Sequence, residues 1–315
     1  MHSITILAAI SCPDTPTLDV GFTQLAFWQI LILGIVQGIT ELLPISSTAH
    51  LRIVPSLLGW ADPGTAFSAA MQLASLLAVF TFLGKDVLVI GKEAIANGIS
   101  LIGNKNKVQK QKSWQNHSLQ MLLGVLLGTI PIAIAGLLLK KALDACNSPL
   151  RNIIVIGIAC LVMSGLLALA ERYGQRGNPL EQRTWQNLTM RDGIAVGFAQ
   201  AFALIPGVSR SGSTLTMGLA LGMERETAAW FSFLLGLPAI ILAGGLEMLT
   251  LFKSGLSEQG WMLLAIGLIS ASLSAYLALW GLLRYLKNHS SWIFVWYRLG
   301  LGLFLIGGAI AGWFR

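Results

Sequence analysis

The chain of 315 residues is too apolar and too sparsely charged for a water-soluble protein. Hydrophobic residues make up 55% of it and charged residues only 11%, whereas soluble domains carry about 25% charged residues. The composition excludes a soluble enzyme and a disordered chain, and it indicates an integral membrane protein. The net charge of +7 is then best explained by basic cytoplasmic loops, and no nucleic-acid partner is expected.

The N-terminal segment, residues 1–24, is predicted to be a short extracytoplasmic extension. No Lys or Arg precedes its apolar stretch at residues 4–10, so it lacks the basic start of a secretory signal. Beyond it, six stretches are long and apolar enough to cross a bilayer, for which about 20 residues suffice. They are predicted at residues 65–83, 119–139, 152–170, 229–249, 261–283 and 292–313.

Two further apolar stretches, residues 25–58 and 192–223, are interrupted near their middle by proline and hydroxyl residues. The interruptions read PISST at residues 44–48 and PGVSRS at residues 206–211. Both halves of each stretch are short for a full crossing. Non-helical backbone at membrane depth persists only where protein or a water-filled cavity satisfies its polar groups. The sequence therefore predicts two re-entrant helix–loop–helix hairpins.

The two interrupted segments resemble one another. GIVQ at residues 34–37 corresponds to GFAQ at residues 197–200, and each is followed by the proline, the serines and then Phe-Ser at the start of a spanning helix. Repeated broken helices point to a binding site at a repeat interface. We predict an all-α, single membrane-embedded domain over residues 25–315, with one repeat at about 25–139 and the other at about 192–283.

Charge predicts the orientation of these elements. The segment at residues 85–112 contains six basic residues and the segment at 172–191 contains four, which places both in the cytoplasm by the positive-inside rule. Two spans separate them, so they fall on the same side. Both termini are then outside, the two hairpins enter from opposite sides, and the repeats have inverted topology.

Charged residues within these apolar segments are candidates for function, because placing a charge there costs about 2.5–3.5 kcal/mol. Glu41 lies before the first break and Arg210 lies inside the second. Gln37 and Glu41 are four residues apart and share one helix face. His50 is the only histidine near a break and is the candidate general base of that type.

The second break is predicted to bind phosphate. It reads PGVSRSGST over residues 206–214, so Arg210 is surrounded by Ser209, Ser211, Ser213 and Thr214. A guanidinium fork, hydroxyl groups and a following helix N-terminus all suit an anion. Three hydroxyl residues lie in the first break: Ser46, Ser47 and Thr48. Taken alone, they are expected to form contacts between helices. Gly34 and Gly38 are expected to allow close packing of their helix against another.

Both motifs resemble those of the bacterial undecaprenyl-diphosphatases, the bacitracin-resistance family of integral membrane phosphatases. QGITELLPISSTAH at residues 37–50 is similar to the first family motif, and PGVSRSGST is similar to the second. The similarity runs from about Trp28 to the C-terminus and includes Gln72. Many members have Glu where Gln37 stands, and this chain therefore lacks one carboxylate of a two-carboxylate metal site.

The resemblance implies hydrolysis of undecaprenyl diphosphate to undecaprenyl phosphate and inorganic phosphate, with a divalent metal (Mg, Ca or Mn). This reaction recycles the lipid carrier for peptidoglycan synthesis and confers bacitracin resistance. It places the protein in the bacterial inner membrane with its active site facing outward. Glu41, Ser47, His50 and Arg210 are the expected catalytic residues, with Glu41 and Gln37 at the metal, Ser47 as nucleophile and His50 as its base. The expected substrate-binding residues are Gln37, Ser46, Thr48, Gln72, Ser209, Ser211 and Thr214.

Two other functions compete with this one. A lipid transporter or flippase would share the inverted repeats and broken helices, but it would need no nucleophile, base or metal-binding carboxylate. A histidine-based lipid phosphatase needs a second intramembrane histidine, which the sequence lacks. Direct attack by water and phosphorylation of Ser47 are both open. The expected partners are the lipid substrate and the bilayer, with a homodimer as an option.

Overall fold

The structure, a computed structural model, describes residues 19–102, 116–144, 148–176 and 182–314. These ranges contain ten α-helices and no strand apart from one isolated bridge between Arg183 and Met223. Most of the predicted N-terminal extension, and the basic residues at 105–112, lie outside the described ranges. The helices are α1 (Phe27–Leu42), α2 (Ser47–Leu58), α3 (Gly64–Ile102), α4 (His117–Asp144), α5 (Ile153–Arg176), α6 (Met190–Ala201), α7 (Arg210–Ala220), α8 (Arg225–Lys253), α9 (Glu258–Asn288) and α10 (Trp292–Ile310).

The prediction of six spanning helices is confirmed by helix length and composition in the described ranges. They are α3, α4, α5, α8, α9 and α10. Helix α3 continues well past the predicted end of its span and has 39 residues, about 58 Å at ~1.5 Å per residue against a hydrocarbon thickness of ~30 Å. Its C-terminal half contains Lys85, Asp86, Lys92 and Glu93, which suit a helix that continues into water.

The two predicted interruptions are real breaks between helices. The first separates α1 from α2 at residues 43–46, and the second separates α6 from α7 at residues 202–209, where a short 3₁₀ turn intervenes. Proline contributes to each break because it has no backbone N–H to donate within a helix. Helices α2 and α7 both begin after a serine with positive φ, Ser46 at 75° and Ser209 at 69°.

Small residues bring the first helix of each broken pair against a spanning helix. A Cβ at Gly34 would lie 2.7 Å from the Gly267 carbonyl oxygen of α9, and one at Gly38 would lie 2.7 Å from the Ala275 nitrogen. This confirms the packing role predicted for Gly34 and Gly38. Helix α6 meets α4 in the same way, since Gly193 and Gly197 face Gly124 and Gly128.

The segment before α6 is anchored by one bidentate ion pair. Arg183 donates to both carboxylate oxygens of Asp192, at 2.7 and 2.6 Å, and these bonds raise the pKa of the Arg183 guanidinium. Asp192 also accepts from the backbone N–H of Thr189 at 2.7 Å. The contacts fix the point at which α6 starts, and α6 leads into the second break.

Candidate active site

Glu41 and Arg210, predicted from separate motifs, form an ion pair between the two breaks. Arg210 Nη2 donates to Glu41 Oε1 at 3.2 Å. Glu41 belongs to the last turn of α1 and Arg210 is the first residue of α7. Their side chains are 5% and 13% exposed, so the pair is shielded from solvent. Electrostatic interactions are stronger in such a buried site than in water. Residues 169 positions apart thus form one polar centre.

The Glu41 carboxylate is held by three donors in all. Its Oε2 atom accepts from Gln37 Nε2 at 2.9 Å and from Ser47 Oγ at 2.7 Å. The first contact follows from the four-residue helical spacing. The second exists because the break turns the chain back, so that Ser47 at the start of α2 faces the end of α1. A hydroxyl that donates to a buried carboxylate is positioned to lose its proton to it.

The two breaks are also tied to each other by hydrogen bonds that involve backbone. Ser211 Oγ lies 3.0 Å from the Leu43 carbonyl oxygen and 3.2 Å from the Glu41 carbonyl oxygen, and these two oxygens are the acceptors for its hydroxyl group. Ser209 Oγ lies 3.2 Å from Ser211 Oγ and accepts from the Gly212 N–H, which caps α7. Protein side chains therefore satisfy backbone groups at the two breaks, which is the condition for a helix break within a membrane.

Arg298, on α10, is a central residue of the site that the sequence motifs missed. It is fully buried, and its guanidinium donates to the Pro44 carbonyl at 3.1 Å, the Gly207 carbonyl at 2.7 Å and the Val208 carbonyl at 2.8 Å. It thus bridges both breaks. The only signal in the sequence was a lone arginine within a predicted span. A charge inside a membrane is energetically costly, and for that reason alone such a residue is a candidate for function.

Two glycines make room for the two guanidinium groups. A Cβ at Gly236 of α8 would lie 2.8 Å from Arg210 Cζ and closer still to Arg210 Nη1. A Cβ at Gly212 would lie 2.7 Å from Arg298 Nη1. Carbon atoms in contact are normally about 3.5–4.0 Å apart, so neither site tolerates a side chain without moving an arginine. Neither glycine could be assigned this role from the sequence, because its partner comes from another helix or a distant turn.

Several buried polar atoms of the centre have no partner among the described residues. They are Arg210 Nε and Nη1, Arg298 Nε and Gln37 Oε1. Buried polar groups are normally hydrogen-bonded, and each exception needs an explanation. Here the exceptions cluster around one ion pair: N–H donors on the arginines and an amide oxygen on Gln37. The arrangement suits an anionic ligand that accepts from Arg210.

The structure does not pair Ser47 with His50, its predicted base. His50 Nδ1 lies 2.7 Å from the Ser46 carbonyl oxygen, to which it donates, and His50 Nε2 lies 2.6 Å from the Tyr297 hydroxyl. One ring nitrogen of His50 is therefore bonded to the Ser46 carbonyl, four residues earlier in the chain, and the other to Tyr297 of α10. Ser47 instead donates to Glu41. The group placed to receive the Ser47 proton is therefore the carboxylate.

The remaining predicted substrate-binding residues differ in burial and in their hydrogen-bond partners. Ser46 is buried and caps α2 by accepting from the Ala49 N–H at 3.4 Å, whereas Thr48 is exposed. Thr214 is fully buried and directs its hydroxyl to the Arg210 carbonyl, 2.7 Å away, and to Ser232. Its geometry is that of a helix contact. Gln72 lies half-buried on α3, and no hydrogen bond joins its amide to the site within the described ranges.

The donor set suits a divalent cation only if the substrate completes it. The described residues contain no group of three or more His, Cys, Asp or Glu side chains that could hold a metal. Glu41 offers a carboxylate and Gln37 offers a buried amide oxygen that has no partner. Mg²⁺ is commonly bound by one or two carboxylates together with water and substrate phosphates. The residues therefore fit a cation shared with a phosphorylated ligand.

Fold and site together define a helical, multi-pass membrane protein whose polar centre lies where two broken helix pairs meet. The sequence model of the family described as "Bacitracin resistance protein BacA" matches residues 30–304. The chain belongs to this family.

Named relatives cover nearly all of the chain. It is 48% identical over 293 residues to the undecaprenyl-diphosphatase of Trichormus variabilis, which covers 93% of this chain and 87% of that protein. It is 51% identical over 277 residues to undecaprenyl-diphosphatase 2 of Mesorhizobium japonicum, with 88% and 99% covered. For the undecaprenyl-diphosphatase of Trichodesmium erythraeum the identity is 46% over 303 residues, with 96% and 91% covered.

Proposed function

We propose that the protein hydrolyses undecaprenyl diphosphate to undecaprenyl phosphate and inorganic phosphate, and so recycles the lipid carrier of peptidoglycan synthesis and confers bacitracin resistance. The observation that carries the proposal is Arg210, whose buried Nε and Nη1 atoms lack partners beside Glu41. A guanidinium with free N–H groups matches phosphate oxygens in shape and charge. The named activity of the relatives agrees with this chemistry.

The architecture that supports this function is a pair of repeats of inverted topology, α1–α4 and α6–α9. Gln37 precedes Ser46 by nine residues and Gln200 precedes Ser209 by nine, and both serines have positive φ and cap a helix. The first helix of each repeat packs on the fourth helix of the other, α1 on α9 and α6 on α4. Re-entrant hairpins that enter from opposite sides would bring the breaks together at mid-membrane.

Glu41 acts as the base in this proposal. Ser47 Oγ, or a water in its place, attacks the terminal phosphorus while its proton passes to Glu41 Oε2, 2.7 Å away in the resting contact. The bond from that phosphorus to the bridging oxygen breaks, and undecaprenyl phosphate leaves. If Ser47 attacks, water then cleaves the phosphoserine and releases inorganic phosphate. Arg210 stabilises charge on the phosphoryl oxygens, and Arg298 holds the two breaks in register.

A divalent metal (Mg, Ca or Mn) is part of the proposal. Glu41 and the Gln37 Oε1 atom would hold it, with substrate oxygens completing its shell. Such an ion would neutralise phosphate charge and polarise the phosphoryl oxygens. His50, bonded to Ser46 and Tyr297, keeps the start of α2 in place. Its predicted role as a base stays a prediction.

Phosphate release from undecaprenyl diphosphate by the purified protein in detergent tests the proposal. We expect release that stops on removal of divalent ions by a chelator and returns when an ion is restored. A lipid transporter of the same architecture would release none. Transfer of a labelled lipid between leaflets, with no phosphate release at any metal concentration, would support the transporter instead.

Sidedness and assembly complete the proposal. The site would face the extracytoplasmic side of the bacterial inner membrane, because the basic segments are predicted to be cytoplasmic. A cysteine at the exposed Thr48 should then react with an impermeant reagent from outside, while one placed at residues 105–112 should not. Labelling with the opposite pattern would invert the topology. A homodimer would double the protein mass of the particle in detergent.

A further inference from the structure

A groove lies on the outer surface of the helix bundle, between α5 and α10. It has a volume of about 400 Å³ and lies apart from the Glu41–Arg210 centre, whose residues do not line it. Its walls combine small and apolar side chains with one guanidinium and two tryptophans. They are formed by Leu161, Ser164, Gly165, Ala168, Leu169, Arg172, Trp292, Val295, Trp296 and Leu299.

The charged end of the groove is formed by Arg172, which lacks a carboxylate partner within the described ranges. Its Cζ atom lies 5.7 Å from the centroid of the Trp292 ring, and the Trp296 ring follows at 6.3 Å from that of Trp292. Trp296 is 64% exposed. Tryptophans are enriched at the interface between hydrocarbon and headgroups, and Arg172 beside them would therefore suit the level of the lipid phosphates.

The apolar part of the groove has the length of one leaflet. Leu161 precedes Arg172 by eleven residues on α5, which is about 16 Å of helix at ~1.5 Å per residue. Half of a hydrocarbon core of ~30 Å is about 15 Å. The groove has free space at Gly165, because a Cβ added there would have no other atom within 4 Å. An acyl chain could therefore lie along Ala168 and Gly165 while its headgroup stays at Arg172.

We propose that this groove binds one anionic phospholipid of the cytoplasmic leaflet, with its phosphate on Arg172 and an acyl chain along Gly165. Charge complementarity selects the occupant, because Arg172 is the first residue of the basic segment at residues 172–191, which predicts the cytoplasmic side. Basic pockets between spanning helices on that side hold anionic headgroups. The bound lipid joins α5 to α10, which already meet through the hydrogen bond of Ser164 Oγ to the Val295 carbonyl at 2.8 Å.

A lipid bound in this groove would also stabilise the Glu41–Arg210 centre. Arg298 lies on α10 only two residues after Trp296, so a lipid that secures α10 against α5 also secures the residue that bridges the breaks. A ligand that binds only the folded state raises the melting temperature according to its concentration and affinity. For a chain of this size we expect a rise of about 3–6 °C at a lipid concentration about 100 times the dissociation constant.

The test uses delipidated full-length protein in detergent and measures the melting temperature and, by native mass spectrometry, the retained lipid. Phosphatidylglycerol should raise the melting temperature and stay bound, whereas phosphatidylcholine with the same chains, and inorganic phosphate, should do neither. Arg172→Gln and Gly165→Leu should each remove the effect. Arg284→Gln, whose guanidinium stacks on Trp280 at 5.6 Å outside the groove, and Gly300→Leu, at another open helical position, should retain it.

Several results would overturn the proposal. They are an equal effect of phosphatidylcholine, an effect of phosphate alone, no retained lipid in the wild type, and an undiminished effect in both Arg172→Gln and Gly165→Leu. A dimer of the wild type that these two variants dissociate would assign the groove to a second copy of the chain. Two variants at separate positions in the groove keep the test valid if one of them fails to fold.

Discussion

Replacement of Gly236 by alanine should remove most of the turnover with little change in the stability of the protein. The new Cβ would lie 2.8 Å from Arg210 Cζ, where about 3.5–4.0 Å is the normal separation. The guanidinium must therefore retreat by about 1 Å or more, away from the 3.2 Å contact with Glu41. A misplacement of ~1 Å at a reacting centre can cost about 100-fold in rate, or about 2.7 kcal/mol of transition-state stabilisation.

The same change has two opposing effects on stability, a weaker ion pair and a more favourable helix residue. Gly236 lies inside α8 with an ordinary helical φ, and alanine is favoured over glycine in a helix interior by about 1 kcal/mol. This gain offsets part of the weakened ion pair, so the melting temperature should change by only a few degrees. A fall in turnover at nearly constant stability is the expected combination.

Gly245→Ala is the matched control for this prediction. It lies on the same helix, and a Cβ there would meet nothing within 4 Å. It should gain the same helix propensity and keep wild-type turnover. Phosphate release at several substrate concentrations, with the melting temperature in the same detergent, separates the outcomes. Full turnover in Gly236→Ala would refute the proposed positioning of Arg210, and an equal loss of turnover in Gly245→Ala would show that the helix is merely sensitive.

Three further predictions concern the carboxylate, the nucleophile and the bridging arginine. Glu41→Gln should lower phosphate release by about 10²–10⁴-fold because it removes the base, while Gln37→Glu should retain activity and bind the metal more tightly in a titration; an active Glu41→Gln enzyme would refute the assignment. If Ser47 is the nucleophile, acid quenching should trap a phosphoserine that Ser47→Ala lacks, and its absence in the wild type would favour direct attack by water. Arg298→Met should lower the free energy of unfolding by about 3 kcal/mol or more, because three buried carbonyls lose their donor at about 1–3 kcal/mol each; an unchanged melting temperature beside that of Arg284→Met would contradict this.

Local sequence signals were sufficient to predict the spans and the breaks. Apolar length identified six helices that the structure confirms, because ~20 apolar residues have few alternatives to spanning. Proline beside clustered hydroxyls located the interruptions at Pro44 and Pro206, since proline cannot donate within a helix. The four-residue spacing of Gly34 and Gly38 was likewise sufficient to predict that they pack against another helix.

Contacts between distant parts of the chain were harder to predict. Arg298 reaches Pro44 across 254 positions, and His50 reaches Tyr297 across 247. Nothing near these residues in sequence reveals their partners. The expected pairing of Ser47 with His50 relied on proximity in the chain, whereas the turn at the break directs Ser47 to Glu41. Gly236 resembled any other helical glycine until the position of Arg210 was known.

If Arg210 stabilises the transition state, its replacement by lysine must lower the kcat for phosphate release from undecaprenyl diphosphate. Lysine retains one positive charge but not the planar fork that can contact Glu41 and phosphate oxygens together. We expect a folded, membrane-inserted protein whose kcat falls at least about 100-fold, since a lost transition-state contact affects kcat. Arg284→Lys, at an exposed arginine, should retain full activity. Wild-type kcat in Arg210→Lys would contradict the account.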